Sequence, residues 1–122
     1  PSIGCRSKVC CSYRVVTNAT RTFLFERLLW AYGHENEDIE TSGPTTACVR
    51  GESLAFHFCA RCGCVVFWRG RVADEQGRRR MAVNLRLTEP GPIAELPIDH
   101  FDGLESWQDL PRDGRCIRDL WF

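Results

Sequence analysis

The stretch Leu54-Ala55-Phe56-His57-Phe58-Cys59-Ala60-Arg61-Cys62-Gly63-Cys64-Val65-Val66-Phe67-Trp68 sets the frame for the whole chain. Leu54 to Phe58 alternates in the manner of a half-buried strand, and Val65 to Trp68 is a short apolar run, so two strands flank a turn. Two cysteines separated by two residues place both sulfurs on one side of that turn. Gly63 can take a positive φ there without a Cβ clash, and the turn's N–H groups are then free to face the thiolates. A redox dithiol with this spacing normally precedes a helix in a βαβ unit; here an apolar strand follows. The expectation is therefore a zinc knuckle at a hairpin tip, with the redox dithiol as competitor.

A closed structural zinc site needs four ligands, and Cys59 and Cys62 supply two. The second pair is expected from the N-terminus, where Cys5, Cys10 and Cys11 stand. Vicinal cysteines on a strand point to opposite faces, so only one of Cys10 and Cys11 can share a site with Cys5. The expected ligand set is Cys5, Cys10, Cys59 and Cys62, with Cys11 and Ser7 open as substitutes for Cys10. Cys64 reads as a small buried thiol, and Cys48 and Cys116 as core residues in strand-like segments. His57 reads as a half-buried histidine with a hydrogen-bond partner.

Working outward, Tyr13 to Val16 fits a strand, and Thr22 to Tyr32 fits either a strand pair or a helix. Ile39 to Thr41 and Thr46 to Arg50 look extended about a Gly43-Pro44 turn. Met81 to Leu87 alternates as a strand, and Glu89 to Pro97 reads as loop. Gly103 to Leu110 has room for a helical turn, and Cys116 to Phe122 reads as a closing apolar strand. Asn84 and Arg86 read as the solvated face of their strand. Short strands with frequent turns argue one mainly β domain over residues 1–122.

Composition narrows the function classes. The 16 Lys and Arg balance the 16 Asp and Glu, so no global field draws the chain to nucleic acid or an anionic membrane. Arg78-Arg79-Arg80 follows Asp74-Glu75-Gln76-Gly77 and reads as a solvated hairpin tip. No run reaches the roughly 18 apolar residues of a membrane span. No apolar secretory core opens the chain, so a cytoplasmic location is expected. In that setting the eight cysteines read as metal ligands or buried thiols; in a secreted protein they would read as disulfides.

From Leu29 to Phe122 the chain resembles the glutathione-dependent formaldehyde-activating enzyme (GFA) family, which includes centromere protein V-like domains. The matching pieces are Leu29-Trp30-Ala31-Tyr32, Gly43-Pro44, Phe56-His57-Phe58-Cys59 through Cys62-Gly63-Cys64, Trp68-Arg69, Val83-Asn84 with Arg86, and Phe101-Asp102-Gly103 followed by Trp107. The resemblance implies a β-tent of the Mss4-like type and one structural zinc held by two cysteine pairs. It also implies carbon–sulfur lyase activity on glutathione–aldehyde adducts such as S-hydroxymethylglutathione, making glutathione or a small thiol adduct the expected partner.

Residues 1–28 depart from the family pattern. The N-terminal pair appears as Cys5-Arg6-Ser7-Lys8, with a hydroxyl where a second thiolate belongs. The family's catalytic zinc triad falls on Asn18, Thr20 and Phe23, none of which is a soft ligand. Two functions follow as expectations: a lyase of the family's type whose catalytic ligands are missing, or a non-catalytic zinc-stabilised binding module. Trp68, Arg69, Asn84 and Arg86 are the candidates to line a small-molecule cleft in the second case.

Overall fold

A computed structural model of the protein describes residues 2–3, 14–17, 21–25 and 28–121. The architecture is mainly β, as the alternation and turn pattern imply. Eleven strands form among the described residues: β1 (Ser2–Ile3), β2 (Arg14–Thr17), β3 (Arg21–Phe25), β4 (Leu28–His34), β5 (Ile39–Ser42), β6 (Thr45–Arg50), β7 (Leu54–Cys59), β8 (Val65–Gly70), β9 (Arg80–Asn84), β10 (Asp99–Phe101) and β11 (Asp109–Leu110). Eight of them make one sheet in the order β11-β10-β3-β4-β9-β8-β7-β6, and β1-β2-β5 make a second. Thr22 to Tyr32 is thus the strand pair and not the helix. No helix among the described residues is long and apolar enough to cross a membrane.

The large sheet is built mostly of hairpins. β6 through β9 follow one another antiparallel, and β4 closes onto β9 with Tyr32 opposite Ala82. The exception is β10, which returns from far along the sequence to lie parallel to β3, Asp99 opposite Phe23. Arg21 braces this junction, reaching Asp99 at 3.1 Å and Asp109 at 2.6 Å. Thr22, itself buried, donates its hydroxyl to the Pro97 carbonyl.

β9 is the centre. Met81, Ala82, Val83 and Asn84 are all buried, so both faces of this strand are covered. On one face Leu29, Ala31, Phe67, Met81 and Val83 cluster with Ile39, Ile93, Ile98 and Ile117, the last three from the irregular C-terminal third. On the other face Ala82 is small enough for rings from β4 and β8 to meet across β9. Trp68 lies 6.4 Å from Trp30 and 6.1 Å from Tyr32, centroid to centroid. Edge-to-face and tilted arrangements of this kind suit the ring quadrupoles.

Two segments that read as strand, the alternating Met81 to Leu87 and the apolar Cys116 to Phe122, contain short 3-10 helices. After Asn84 the chain turns into one at Leu85–Leu87, because the Asn84 carboxamide competes with the sheet ladder. Its Oδ1 accepts from Arg86 N at 3.0 Å and its Nδ2 donates to Val65 O at 2.9 Å. The closing segment forms a 3-10 helix at Ile117–Leu120, started by reciprocal capping between Cys116 and Asp119. The Asp119 carboxylate accepts from Cys116 N at 2.9 Å, and its pKa is held low by that bond and by the thiol. Another 3-10 turn, Gly91–Ile93, sits within the expected loop. Gly103 to Leu110 carries a turn and a short strand, not a helix; the Asp102 carboxylate accepts from three backbone N–H groups there and is strongly acidic for that reason.

Arg86 is not solvated. Its guanidinium donates to the carbonyls of Leu120 (2.6 Å) and Trp121 and lies over the Trp121 ring. It joins the first 3-10 helix to the last by donating to carbonyls at the end of the latter, where a short helix leaves C=O groups without intrahelical donors. Replacing it should release the C-terminus. Arg86→Ala is expected to lower unfolding stability by about 2 kcal/mol, the value of charge-assisted hydrogen bonds. Urea melts of the two proteins, with loss of near-ultraviolet Trp dichroism before the main transition in the variant, check this.

Candidate functional site

The Cys59–Cys62 turn sits where the alternation places it, at the tip joining β7 to β8. Cys59 N donates to Cys64 O and Gly63 N donates to Cys59 O, each at 2.9 Å, so the loop is closed by two backbone bonds. Gly63 has φ of +72°, and a Cβ there would meet nothing within 4 Å. Glycine is therefore required by backbone conformation and not by space.

The hairpin slips register just before this turn. His57 opposes Phe67, whereas Phe58 opposes Val65, leaving Val66 as the extra residue of a bulge. Bulges re-aim side chains, and here both Val66 and Phe67 become buried although they are consecutive. Cys59 points into the same cluster and is 5% exposed, while Cys62 is exposed. The pair therefore spans the boundary between core and surface. One sulfur of the pair is thus packed against the core and the other is reachable from solvent.

The other cysteines divide differently from the sequence expectation. Cys64 is exposed, because the two closing backbone bonds turn its side chain outward from the tip. Cys48 is exposed because β6 is an edge strand with little over it. Cys116 is half-buried at the start of the last 3-10 helix, donating its thiol to Asp119 at 3.3 Å. None of the three is a core thiol. Cys5, Cys10, Cys11 and Ser7 lie outside the described residues, as do Asn18 and Thr20. Phe23 is on β3, its backbone opposite Trp30.

His57 is half-buried with a partner, as expected. Nδ1 lies 2.9 Å from the Thr45 hydroxyl, and the ring stacks on Phe67 with centroids 4.2 Å apart. Its pKa is lowered, first by burial and then by the Arg69 charge, with Glu35 opposing. Arg69 projects over the same Phe67 ring and pairs with Glu35 at 3.0 Å. Its Nε is buried and has no hydrogen-bond partner among the described residues. The sequence reading named Arg69 but missed Glu35, which joins it only because β4 and β8 both flank β9 and bring distant positions together.

The Asn84 carboxamide and the Arg86 guanidinium are both spent on backbone groups and not held out toward a ligand. A cleft of about 280 Å³ does open elsewhere, against Glu95, Pro97, Arg112, Arg115, Cys116 and Arg118. Its guanidiniums are already neutralised: Arg112 by Asp99, Arg115 by Asp113 and Arg118 by Glu95, at 2.5 to 2.6 Å. It does not include the Cys59–Cys62 turn. Among the described residues, His34, Glu37 and Asp38 bring one nitrogen and two carboxylates within 4.8 Å of one another at the β4–β5 turn. Strand register puts that turn at the opposite end of the sheet from Cys59. Its donors are mostly hard oxygens, unlike a thiolate pair.

The chain matches no protein-family model, no curated protein and no solved structure.

The His57 environment has a pH consequence. A histidine whose folded pKa is depressed stabilises the fold fully above its unfolded value of about 6.5, and that contribution is lost as the pH falls through the folded value. The thermal midpoint is expected to drop on acidification below about pH 6.5. In His57→Gln the part of that slope due to His57 disappears. Melting curves of both proteins from neutral to mildly acid pH, with NMR titration of the His57 ring, measure it.

Proposed function

We propose that the chain is a zinc-binding protein whose metal is structural, with Cys59 and Cys62 as one ligand pair and Cys5 and Cys10 as the other. The observation that carries this reading is the closed turn itself: two backbone bonds and a left-handed Gly63 hold the Cys59–Cys62 pair beside the core. The donor set fits the ion, because soft thiolates in a tight turn suit zinc and need no redox partner. The zinc so held contributes folding free energy. On this reading the fold is an Mss4-like β-tent with a zinc knuckle, the setting is cytoplasmic, and the protein works as a zinc-stabilised binding module without catalysis.

The half-buried aromatic surface of Tyr32 and Trp68 is the place for a small ligand, with glutathione or a thiol adduct as the ligand class the family resemblance implies. Arg69 lies on the other face of β8, over the Phe67 ring and paired with Glu35, and takes no part in that surface.

The second reading is the lyase on glutathione–aldehyde adducts. The Leu29-to-Phe122 resemblance favours it. In that case a second zinc would supply a Lewis acid that holds the substrate sulfur as thiolate. Asn18, Thr20 and Phe23 do not fit that role, and His34, Glu37 and Asp38 lie at the far end of the sheet.

Metal content of protein purified without added zinc separates the two. One zinc per chain, no faster formation of S-hydroxymethylglutathione from formaldehyde and glutathione than without protein, and a large fall in melting temperature on chelation fit the binding module. Two zincs with acceleration fit the lyase, and no zinc sinks both. Cys62→Ser should bind no zinc and lose several kcal/mol of stability or fail to fold, the behaviour of a broken structural site. A variant that melts like the parent would show that the turn holds no metal.

A further inference from the structure

The large sheet has two edges, and they are treated differently. At one end lies β11, only Asp109 and Leu110, with Asp109 paired to Arg21 and Pro111 immediately following. Short length, a charge and a proline are the usual means by which an edge is kept from pairing. At the other end lies β6, Thr45-Thr46-Ala47-Cys48-Val49-Arg50. It has no proline and no lysine, and its one charge is at its end. Its ladder with β7 runs without a break from Thr45 opposite Cys59 to Arg50 opposite Leu54. The bulge that could have twisted the edge away lies on the inner side, between β7 and β8. Every residue of β6 after Thr45 is exposed, Val49 by 51%. Among the described residues nothing pairs with its outer edge.

We propose that β6 pairs antiparallel with β6 of a second copy of this chain, joining two sheets into one across a two-fold axis. The strand is suited to itself. In an antiparallel ladder, opposed residues either both face the partner strand with their N–H and C=O groups or both face away. A two-fold axis therefore runs through an opposed pair of identical residues and never between neighbours. The axis at Cys48 sets Cys48 opposite Cys48 of the second copy, Ala47 opposite Val49, and Thr46 opposite Arg50. Each exposed Val49 then covers the small Ala47 of the other chain. The two Arg50 side chains lie at opposite ends of the ladder, so like charges do not meet. The axis at Ala47 would instead set Thr45 opposite Val49 and leave Arg50 unpaired.

A single strand pair covers less than the roughly 1,200 Å² at which stable interfaces begin, so the dimer is weak without a covalent link. Cys48 supplies one. Opposed residues in an antiparallel pair have Cα atoms about 4.5–5.5 Å apart, within the range a disulfide spans. With glutathione disulfide as oxidant, one Cys48 thiolate attacks it and releases a glutathione thiolate. The Cys48 thiolate of the second copy then attacks the mixed disulfide and releases the other. Two protein thiols lose two protons and two electrons, and one small disulfide becomes two thiols.

The test uses the full chain. Sedimentation velocity under reducing conditions, from about 10 µM to about 1 mM, is expected to show dimer rising to half or more at the top of the range, as suits a small interface. Incubation with glutathione disulfide should then yield a dimer whose digest contains a Cys48–Cys48 linked peptide. Cys48→Ser should lose the link and keep the reduced dimer. Val49→Lys, which puts a charge on the edge, should lose both while its melting temperature stays at the parent's value. A monomer at every concentration, a dimer that survives Val49→Lys unchanged, or links confined to other cysteines would each overturn the proposal.

Discussion

Everything in the fold depends on β9 being buried on both faces. Met81 and Val83 enter the aliphatic cluster, Ala82 and Asn84 face the aromatic side, and none of the four retains appreciable contact with water. A strand in this position must have its ladder groups paired on both edges, since an unpaired buried N–H or carbonyl costs at least as much as a made bond contributes. β4 and β8 supply those partners. The size of Ala82 then decides what can lie above it: a larger side chain would push apart Trp30, Tyr32 and Trp68. The same arrangement brings Glu35 to Arg69, and Arg69 to the Phe67 ring that His57 stacks on. The surroundings of His57 are thus set by the strand at the sheet's centre, two positions away.

Much of this was legible in the chain because the strands of the large sheet are hairpins and their signals are local. The Gly43-Pro44 turn, the alternation of Leu54 to Phe58 and the run Val65 to Trp68 each mark an element within a few residues of its true bounds. The illegible parts have a common cause. Asn84 and Asp119 end or start short helices by side-chain hydrogen bonds to backbone, and a pattern of apolar alternation does not register that competition. Leu85 to Leu87 and Cys116 to Leu120 were therefore misread as strand. Exposure failed for a different reason. Cys48 and Cys64 look like core residues by type, but the burial of a cysteine depends on whether its strand is central or at an edge, and that is a property of the sheet's order.

The candidate metal site was legible in half. Spacing and the following apolar strand located the Cys59–Cys62 turn, and its glycine was assigned for the conformation it adopts. The bulge at His57 was not foreseen, although it accounts for the burial of consecutive residues beside the pair. Arg86 carried the opposite lesson. An arginine two positions after an asparagine on an alternating segment reads as surface, yet it is the clasp that holds the C-terminal segment by its carbonyls. Its role became visible only when residues separated by 34 or more positions were brought together.

The parallel pairing of β10 with β3 has a consequence for synthesis. β6 to β9 are neighbours in sequence as well as in space, so that part of the sheet can close as soon as it leaves the ribosome. β3 cannot. Its outer edge waits for Asp99 and His100, which are made long after it. Until then the nascent chain presents an open strand next to β4, whose Leu29 and Trp30 have not yet found their cover. The small β1-β2-β5 sheet has all its strands by Ser42, whereas β3 and β4 are made early and completed only when β10 and β9 have followed.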